Sequence, residues 1–262
     1  TAPFILRRVK TDKTIISDLP DKIVNDQMCH LTPQQSALYQ NVVDVTMKKV
    51  DESEGVQRKG LVFQLMNALK QICNHPSHYL KQDKVNPEDS GKMQMLLSLL
   101  DNIYENGEKT LIFTQYREMG DLLVPLLQQR YHSTPLWLHG GVSRKKRDQM
   151  VEDFQNKPQV KTMLLSLKAG GTGLNLTQAS NVIHYDLWWN PAVENQATDR
   201  AYRIGQKNNV MVYRVVTQGT FEEKVNEMIK DKKELADLTV STGENWIGDL
   251  SSEELKDIFE LG

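Results

Sequence analysis

Gln196-Ala197-Thr198-Asp199-Arg200-Ala201-Tyr202-Arg203-Ile204-Gly205-Gln206 sets two arginines and two glutamines at helical spacing, directly after a strand-and-loop segment. Arg200 and Arg203 lie three apart, so on a helix they share one face and point together toward a phosphate on a facing surface. A guanidinium suits that task, being planar, permanently charged and able to neutralise charge that grows on a phosphoryl group in transfer. An isolated Arg-x-x-Arg is more often a solvated helix face. The sequence upstream decides between the two readings.

Asn181-Val182-Ile183-His184-Tyr185 is a short apolar run fit for a buried strand, and Asp186-Leu187-Trp188-Trp189-Asn190-Pro191 follows it. Further upstream, Leu164-Leu165-Ser166-Leu167 runs into Lys168-Ala169-Gly170-Gly171-Thr172-Gly173-Leu174-Asn175-Leu176, a strand entering a glycine-rich loop whose backbone N–H groups can approach a phosphate closely. Strand-like runs at 110–113, 135–138, 162–167, 182–185 and 210–216 alternate with segments long enough for crossover helices. The fold expected over 91–238 is therefore α/β, a mostly parallel sheet covered by helices on both faces. In such open sheets the functional loops leave the carboxyl ends of the strands, where Thr114-Gln115, Gly170-Gly171 and Trp188-Trp189 stand. No Gly-x-x-x-x-Gly-Lys-Ser/Thr occurs, so the glycine loop is not the main triphosphate cradle. Asp51-Glu52-Ser53-Glu54 follows Lys48 and Lys49 rather than a buried strand and reads as a solvated turn or helix end.

These residues, in kind and in order, resemble the second motor lobe of the Swi/Snf family of ATP-dependent DNA translocases, within helicase superfamily two. Lys109-Thr110-Leu111-Ile112-Phe113-Thr114-Gln115-Tyr116 is similar to the family's motif IV, and Leu138-His139-Gly140-Gly141 with Arg147 and Phe154 to the segment after it. Residues 166–176 resemble motif V and residues 196–206 motif VI, while Trp188-Trp189-Asn190-Pro191 is the most family-specific element. Phe4-Ile5-Leu6-Arg7-Arg8-Val9-Lys10 and Leu19-Pro20-Asp21-Lys22 resemble the passage out of the first lobe. Position 202 is Tyr where many relatives carry His, a change that leaves both arginines in place. The resemblance implies a RecA-like sheet of P-loop NTPase type without its own Walker A loop, preceded by a helical insertion.

On that reading residues 1–28 are an interlobe connector, 29–90 a helical insertion, 91–238 the RecA-like lobe and 239–262 a C-terminal helical brace. Thr32-Pro33-Gln34-Gln35 is a helix start, and Leu38, Val42, Val45 and Met47 followed by Leu61, Leu65, Ala68, Leu69 and Ile72 give two apolar stripes. Polar residues 81–90 separate the helical part from the lobe. Ser251 and Glu254 read as a capping box opening a terminal helix.

The resemblance implies an ATP site split between two lobes. Lobe one, which this chain lacks, would hold ATP and Mg²⁺; Arg200 and Arg203 would close onto the phosphates, with Gln196 aligning them. Gly171, Gly173, Asp199 and Gln206 would border the nucleotide. Thr114, Gln115, His139, Gly140, Lys168, Gly170 and Trp188 would grip the duplex, Trp188 as a wedge or coupling element, whereas Trp189 is read as core. The chain alone is then expected to be inactive as an ATP hydrolase. Strand-separating RNA or DNA helicase and non-catalytic scaffold are the alternatives.

Composition sets limits on these readings. The 262 residues carry 39% apolar and 25% charged side chains, enough for a full core. A net charge of −2 means that any phosphate-neutralising surface is local, with Lys168, Arg117 and Arg144-Lys145-Lys146-Arg147 as candidates. The run at 144–147 is equally readable as a solvated helix face opposite Met150, Val151 and Phe154. Cys29 and Cys73 are the only cysteines, and Cys73-Asn74-His75-Pro76-Ser77-His78 does not complete a four-ligand zinc set, so packing and no metal are expected. Sparse cysteine and the lack of a signal peptide or membrane-length apolar run suggest a reducing cytoplasmic or nucleoid compartment and no membrane partner. The compact form, with no chromatin-reading module, favours a prokaryotic source; a eukaryotic protein of this kind would be nuclear.

Overall fold

Thr110–Thr114 (β2), Thr162–Ser166 (β4) and Asn181–His184 (β5) are buried along their whole length, so they can only be inner strands of a sheet covered on both faces. The computed structural model describes residues 19–166, 173–235 and 244–262. Its sheet runs β1-β6-β5-β2-β4-β3, where β1 is Lys22–Cys29, β3 Leu136–Leu138 and β6 Val210–Thr217. Every pairing is parallel. This is the RecA-like α/β arrangement expected, and each strand-like run of the sequence contributes a strand to it.

The alternation of each strand divides the core. Leu111, Phe113, Met163, Leu165 and Val182 face Phe154 of α6 (Arg144–Asn156) and Ala197 of α7 (Pro191–Thr198). Ile112, Leu164 and Ile183 face Leu96, Leu100 and Leu123 of α4 (Gly91–Glu105) and α5 (Arg117–Tyr131). α6 exposes Arg144, Lys145 and Lys146 and half-buries Met150 and Val151, which leaves the basic run open both to solvent and to a phosphate.

β1 departs from the expected connector. Its residues are extended, but they pair with β6 from Lys22↔Val210 to Cys29↔Thr217 as the edge strand of the sheet. Asn25, Asp26 and Gln27 break any apolar alternation, and Ile23, Val24 and Met28 are exposed, so the strand is held by its backbone ladder rather than by an apolar face.

The helical part comprises α1 (Pro33–Asp51), α2 (Gly55–Asn74) and α3 (Pro76–Leu80). Thr32 and Gln35 form a capping box at α1, and Gln35 Oε1 also accepts from Gly91 N while Nε2 donates to the carbonyls of Ile72 and Cys73. One buried amide thus joins the start of α1, the end of α2 and the start of α4. The buried stripe of α1 is Tyr39, Val42, Val43, Met47 and Val50, while Val45 is 48% exposed, one residue off the face expected for it. Asp51 and Glu52 close α1, as the charge pattern implied. α1 and α2 share one core with Phe221 and Val225 of α8 (Phe221–Leu235) and with Leu255, Ile258 and Phe259 of α9 (Ser252–Phe259). The Ser251–Glu254 capping box opens α9. Among the described residues no helix is long and apolar enough to cross a membrane.

Candidate functional site

The carboxyl ends of β2, β3, β4 and β5 open onto a cleft of about 570 Å³. Gln115, His139, Gly140 and Trp188, drawn from separate stretches of sequence, line it together. His139 Nδ1 accepts from Gly141 N at 3.1 Å, which curls the loop, and a Cβ on residue 141 would come within 3.2 Å of the imidazole. Trp188 is half-buried on the cleft wall. Trp189 points the other way, 4% exposed and edge-on to Phe221 at 5.2 Å, the core position expected of it. The Trp189 backbone has φ 51, and that left-handed turn sends the two neighbouring indoles to opposite sides.

α2 supplies a wall of this cleft that the sequence reading did not contain. Phe63, Asn67 and Lys70 line it, with Arg117 from the start of α5. The Lys70 ammonium sits 4.0 Å over the Trp189 ring and 3.5 Å from Gln115 Oε1. No local signal marks these residues, because Lys70 lies in a helix stripe that reads as packing until the fold brings it to the strand ends.

Thr114 is a correction. It is fully buried and its hydroxyl donates to Asp186 Oδ2 at 2.6 Å, so it cannot reach a ligand. Asp186 also accepts from Gln115 N at 2.7 Å and from Asn74 Nδ2 at 3.1 Å. Burial pushes its carboxyl up from the ordinary range, opposed by the Thr114 hydrogen bond.

The arginine segment is also rearranged. Asn190 caps α7 through Ala192 N and Val193 N, Pro191 starts it, and the helix ends at Thr198. Residues 199–206 form successive turns rather than a continued helix, so Arg200 and Arg203 do not share a helical face. Burial of Ala201 and Tyr202 against the sheet and Gly205 at φ +99 impose the turns. Arg200 is 7% exposed, with burial lowering its pKa, while Arg203 and Gln196 are exposed and Asp199 is half-buried. Leu176 N donates to the Arg200 carbonyl at 3.0 Å, joining this segment to the end of the glycine loop.

Gln206 is a second correction to the expected nucleotide border. Its Nε2 donates to the carbonyls of Ala179 and Ala201, and its Oε1 accepts from Lys207 N and Asn208 N, so the amide is spent inside the loop. Gly173 is exposed at φ +83, a conformation that favours glycine; Lys168, Gly170 and Gly171 lie outside the described residues. His75 Nδ1 accepts from Ser77 N and Nε2 meets the Asn86 carbonyl, the bonds of a helix cap rather than of a ligand.

The model of the helicase conserved C-terminal domain matches residues 91–205, and that of the SNF2-related domain matches residues 1–78. The Sulfolobus solfataricus SWI2/SNF2 ATPase C-terminal domain superposes with a TM-score of 0.80 at 38% identity, covering 92% of this chain and 100% of that one. The chain belongs to the SWI2/SNF2 family. A second solved structure, the Sulfolobus solfataricus SWI2/SNF2 ATPase core in complex with dsDNA, matches 99% of this family member with a TM-score of 0.84 and 42% identity, over 55% of that chain. YwqA of Bacillus subtilis (strain 168) is 46% identical over 99% of this chain. The SWI2/SNF2 chain described here spans 28% of the length of YwqA. Its RecA-like sheet is the C-terminal helicase domain of the family.

Proposed function

We propose that this chain is the second motor lobe of an ATP-dependent translocase on double-stranded DNA. The observation that carries the reading is the convergence of Gln115, His139, Gly140 and Trp188 on one cleft at the carboxyl ends of four parallel strands. The His139 imidazole and the exposed guanidinium of Arg117 there suit sugar-phosphate oxygens, with the buried Lys70 adding positive charge behind them, which would make binding independent of sequence. Lys168 and Gly170 would extend the same grip. The similar Sulfolobus core was solved with duplex DNA, which favours the duplex over single-stranded RNA as the substrate.

ATP and Mg²⁺ would be held mainly by a first RecA-like lobe, since this chain has no triphosphate-gripping loop. The residues here fit the complementary half of the site. Arg203 presents an exposed guanidinium and Arg200 a buried one beside the end of the glycine loop. Lobe closure would bring both onto the phosphates, with Gln196, Asp199, Gly171 and Gly173 at the border, and the positive charge would offset charge growing on the γ-phosphoryl group. This chain by itself would hydrolyse no ATP.

Arg200→Ala and Arg203→Ala in the complete protein test the proposal. Each is expected to lower duplex-stimulated ATP turnover by about 10³-fold while ATP binding persists. Only Arg200→Ala should also lower the melting temperature, because only Arg200 is packed into the fold. Normal turnover in both variants would refute the role of the arginines, and stronger stimulation by single-stranded RNA than by duplex DNA would refute the substrate.

A further inference from the structure

Behind the cleft runs a chain of buried polar groups that reaches solvent only at its Gln115 end. Asp186 Oδ1 holds Gln115 N–H at 2.7 Å, and its Oδ2 takes the Thr114 hydroxyl at 2.6 Å and Asn74 Nδ2 at 3.1 Å. Asn74 Oδ1 accepts from Lys92 Nζ at 3.4 Å, and that ammonium pairs with Glu222 Oε1 at 2.8 Å. Glu222 Oε2 in turn accepts from Thr217 N at 3.0 Å. The Asn74 carbonyl takes the hydroxyls of Tyr185 at 2.7 Å and Ser90 at 2.8 Å. The Asn74 amide can sit in one orientation only, its oxygen toward an ammonium and its NH₂ toward a carboxylate.

Two features distinguish this chain from ordinary packing. A buried ion pair is weak as a source of stability, since desolvation consumes most of the Coulomb gain, and its better-attested use is to fix one arrangement of elements. Here it fixes the end of α2, the start of α4 and the start of α8 against the end of β5. Its far end is also a cleft residue. Gln115 is held at its backbone by Asp186 and at its side chain by the Leu187 carbonyl and Lys70, so what remains variable is where the cleft wall stands.

We propose that Asp186 and Asn74 are positioning residues that set Gln115 in the cleft, transmitting the seating of the helical part on the sheet to the grip on DNA. The proposal rests on the reading of the cleft as a duplex-binding surface. Charge-assisted hydrogen bonds in a dry interior are directional and stiff, so a shift of α2 or α8 relative to β5 moves Asp186 and carries Gln115 with it. Removing a link while leaving every cleft side chain in place should therefore weaken the grip.

The experiment is a double-mutant cycle on the affinity of the complete protein for a duplex oligonucleotide. Asn74→Ala cuts the chain in the middle, and Thr114→Val removes one donor to Asp186, together with the acceptor for Tyr116 N, with almost no change of shape. Each is expected to weaken binding about fivefold in the native background and to have no further effect once Gln115 is Ala. Thr114→Ser, which keeps the hydroxyl, should bind as the native protein does. Thr114→Val stands alone if Asn74→Ala fails to fold, judged by circular dichroism. Equal losses in both backgrounds, or no loss from either variant, would overturn the positioning role while leaving the cleft intact. If Gln115→Ala itself leaves duplex affinity unchanged, the reading of the cleft falls and the relay with it.

Discussion

His78 is buried with both ring nitrogens lacking a hydrogen-bond partner, its ring edge-on to Tyr116 at 4.8 Å, and burial drives its pKa down to about 3. His184, stacked on Phe113 at 5.5 Å and bonded through Nε2 to Thr198, is likewise pushed down to about 3. Burial lowers His75 in the same direction. The sign follows from proton counting: below the ordinary imidazole value near 6.5 the unfolded chain takes up protons that the native protein refuses. The stability these rings contribute is complete above that value and is lost as pH falls toward 3. Asp186 and Glu194, raised by burial, oppose this as they take up protons. Denaturant melts between about pH 7 and about pH 5 should therefore show stability falling with acid, and His78→Phe should remove one ring's share, about 1.4 kcal/mol per pH unit at most. An unchanged slope in that variant would mean His78 is not held neutral. The arginines show the same dependence on surroundings, since two identical side chains three residues apart end with one packed and one in water.

Elements here are sited by backbone contacts as much as by apolar stripes. α4 begins at Gly91 with Ser90 as its cap, accepting from Met93 N and donating to the Asn74 carbonyl. The start of the helix is pressed so closely onto β1's end that a Cβ at position 91 would lie 1.8 Å from the His30 carbonyl oxygen. Gly91→Ala should cost about 3 kcal/mol by urea denaturation, since backbone rather than a flexible side chain must give way. Gly60, inside α2 and exposed, has nothing within 4 Å of its would-be Cβ. Gly60→Ala should stabilise by about 0.5–1 kcal/mol, and a loss of stability there would show that α2 is not helical at that point. Element starts were legible in sequence because caps are local: Thr32 with Gln35 and Ser251 with Glu254 both form the capping boxes their spacing implied. The end of α7 was not legible. Residues 199–206 carry no local stop before Gly205, and the turns arise from Ala201 and Tyr202 docking on the sheet.

Across the whole molecule, Lys92 and Glu222 meet 130 residues apart in sequence with 0% and 3% of their side chains exposed. They sit where the helical part, the sheet and α8 join. Lys92→Met alone should cost about 3–5 kcal/mol, because it leaves a buried carboxylate without its cation. Combining it with Glu222→Gln, whose carbonyl can still accept from Thr217 N, should recover most of that loss. Equal costs for the single and the double variant, measured by chemical denaturation, would show that the charges are not coupled.

Sequence alone determined the sheet and most of the cleft's lip. Strands with apolar centres separated by crossover lengths admit a parallel sheet covered on both faces, and the loops at the strands' carboxyl ends hold Gln115, His139, Gly140 and Trp188. Tertiary structure decided the edge strand β1, whose polar residues give no period because its backbone ladder and the Asp26–Arg214 ion pair, rather than an apolar face, tie it to β6. It also decided the α2 wall with Lys70, the burial of Thr114 and Gln206, and the Asp186 relay. Periodicity and caps are written in neighbouring residues and survive without the fold, whereas a polar side chain's partner is chosen by elements far apart in sequence, and only their packing says whether it meets water, a ligand or another buried group.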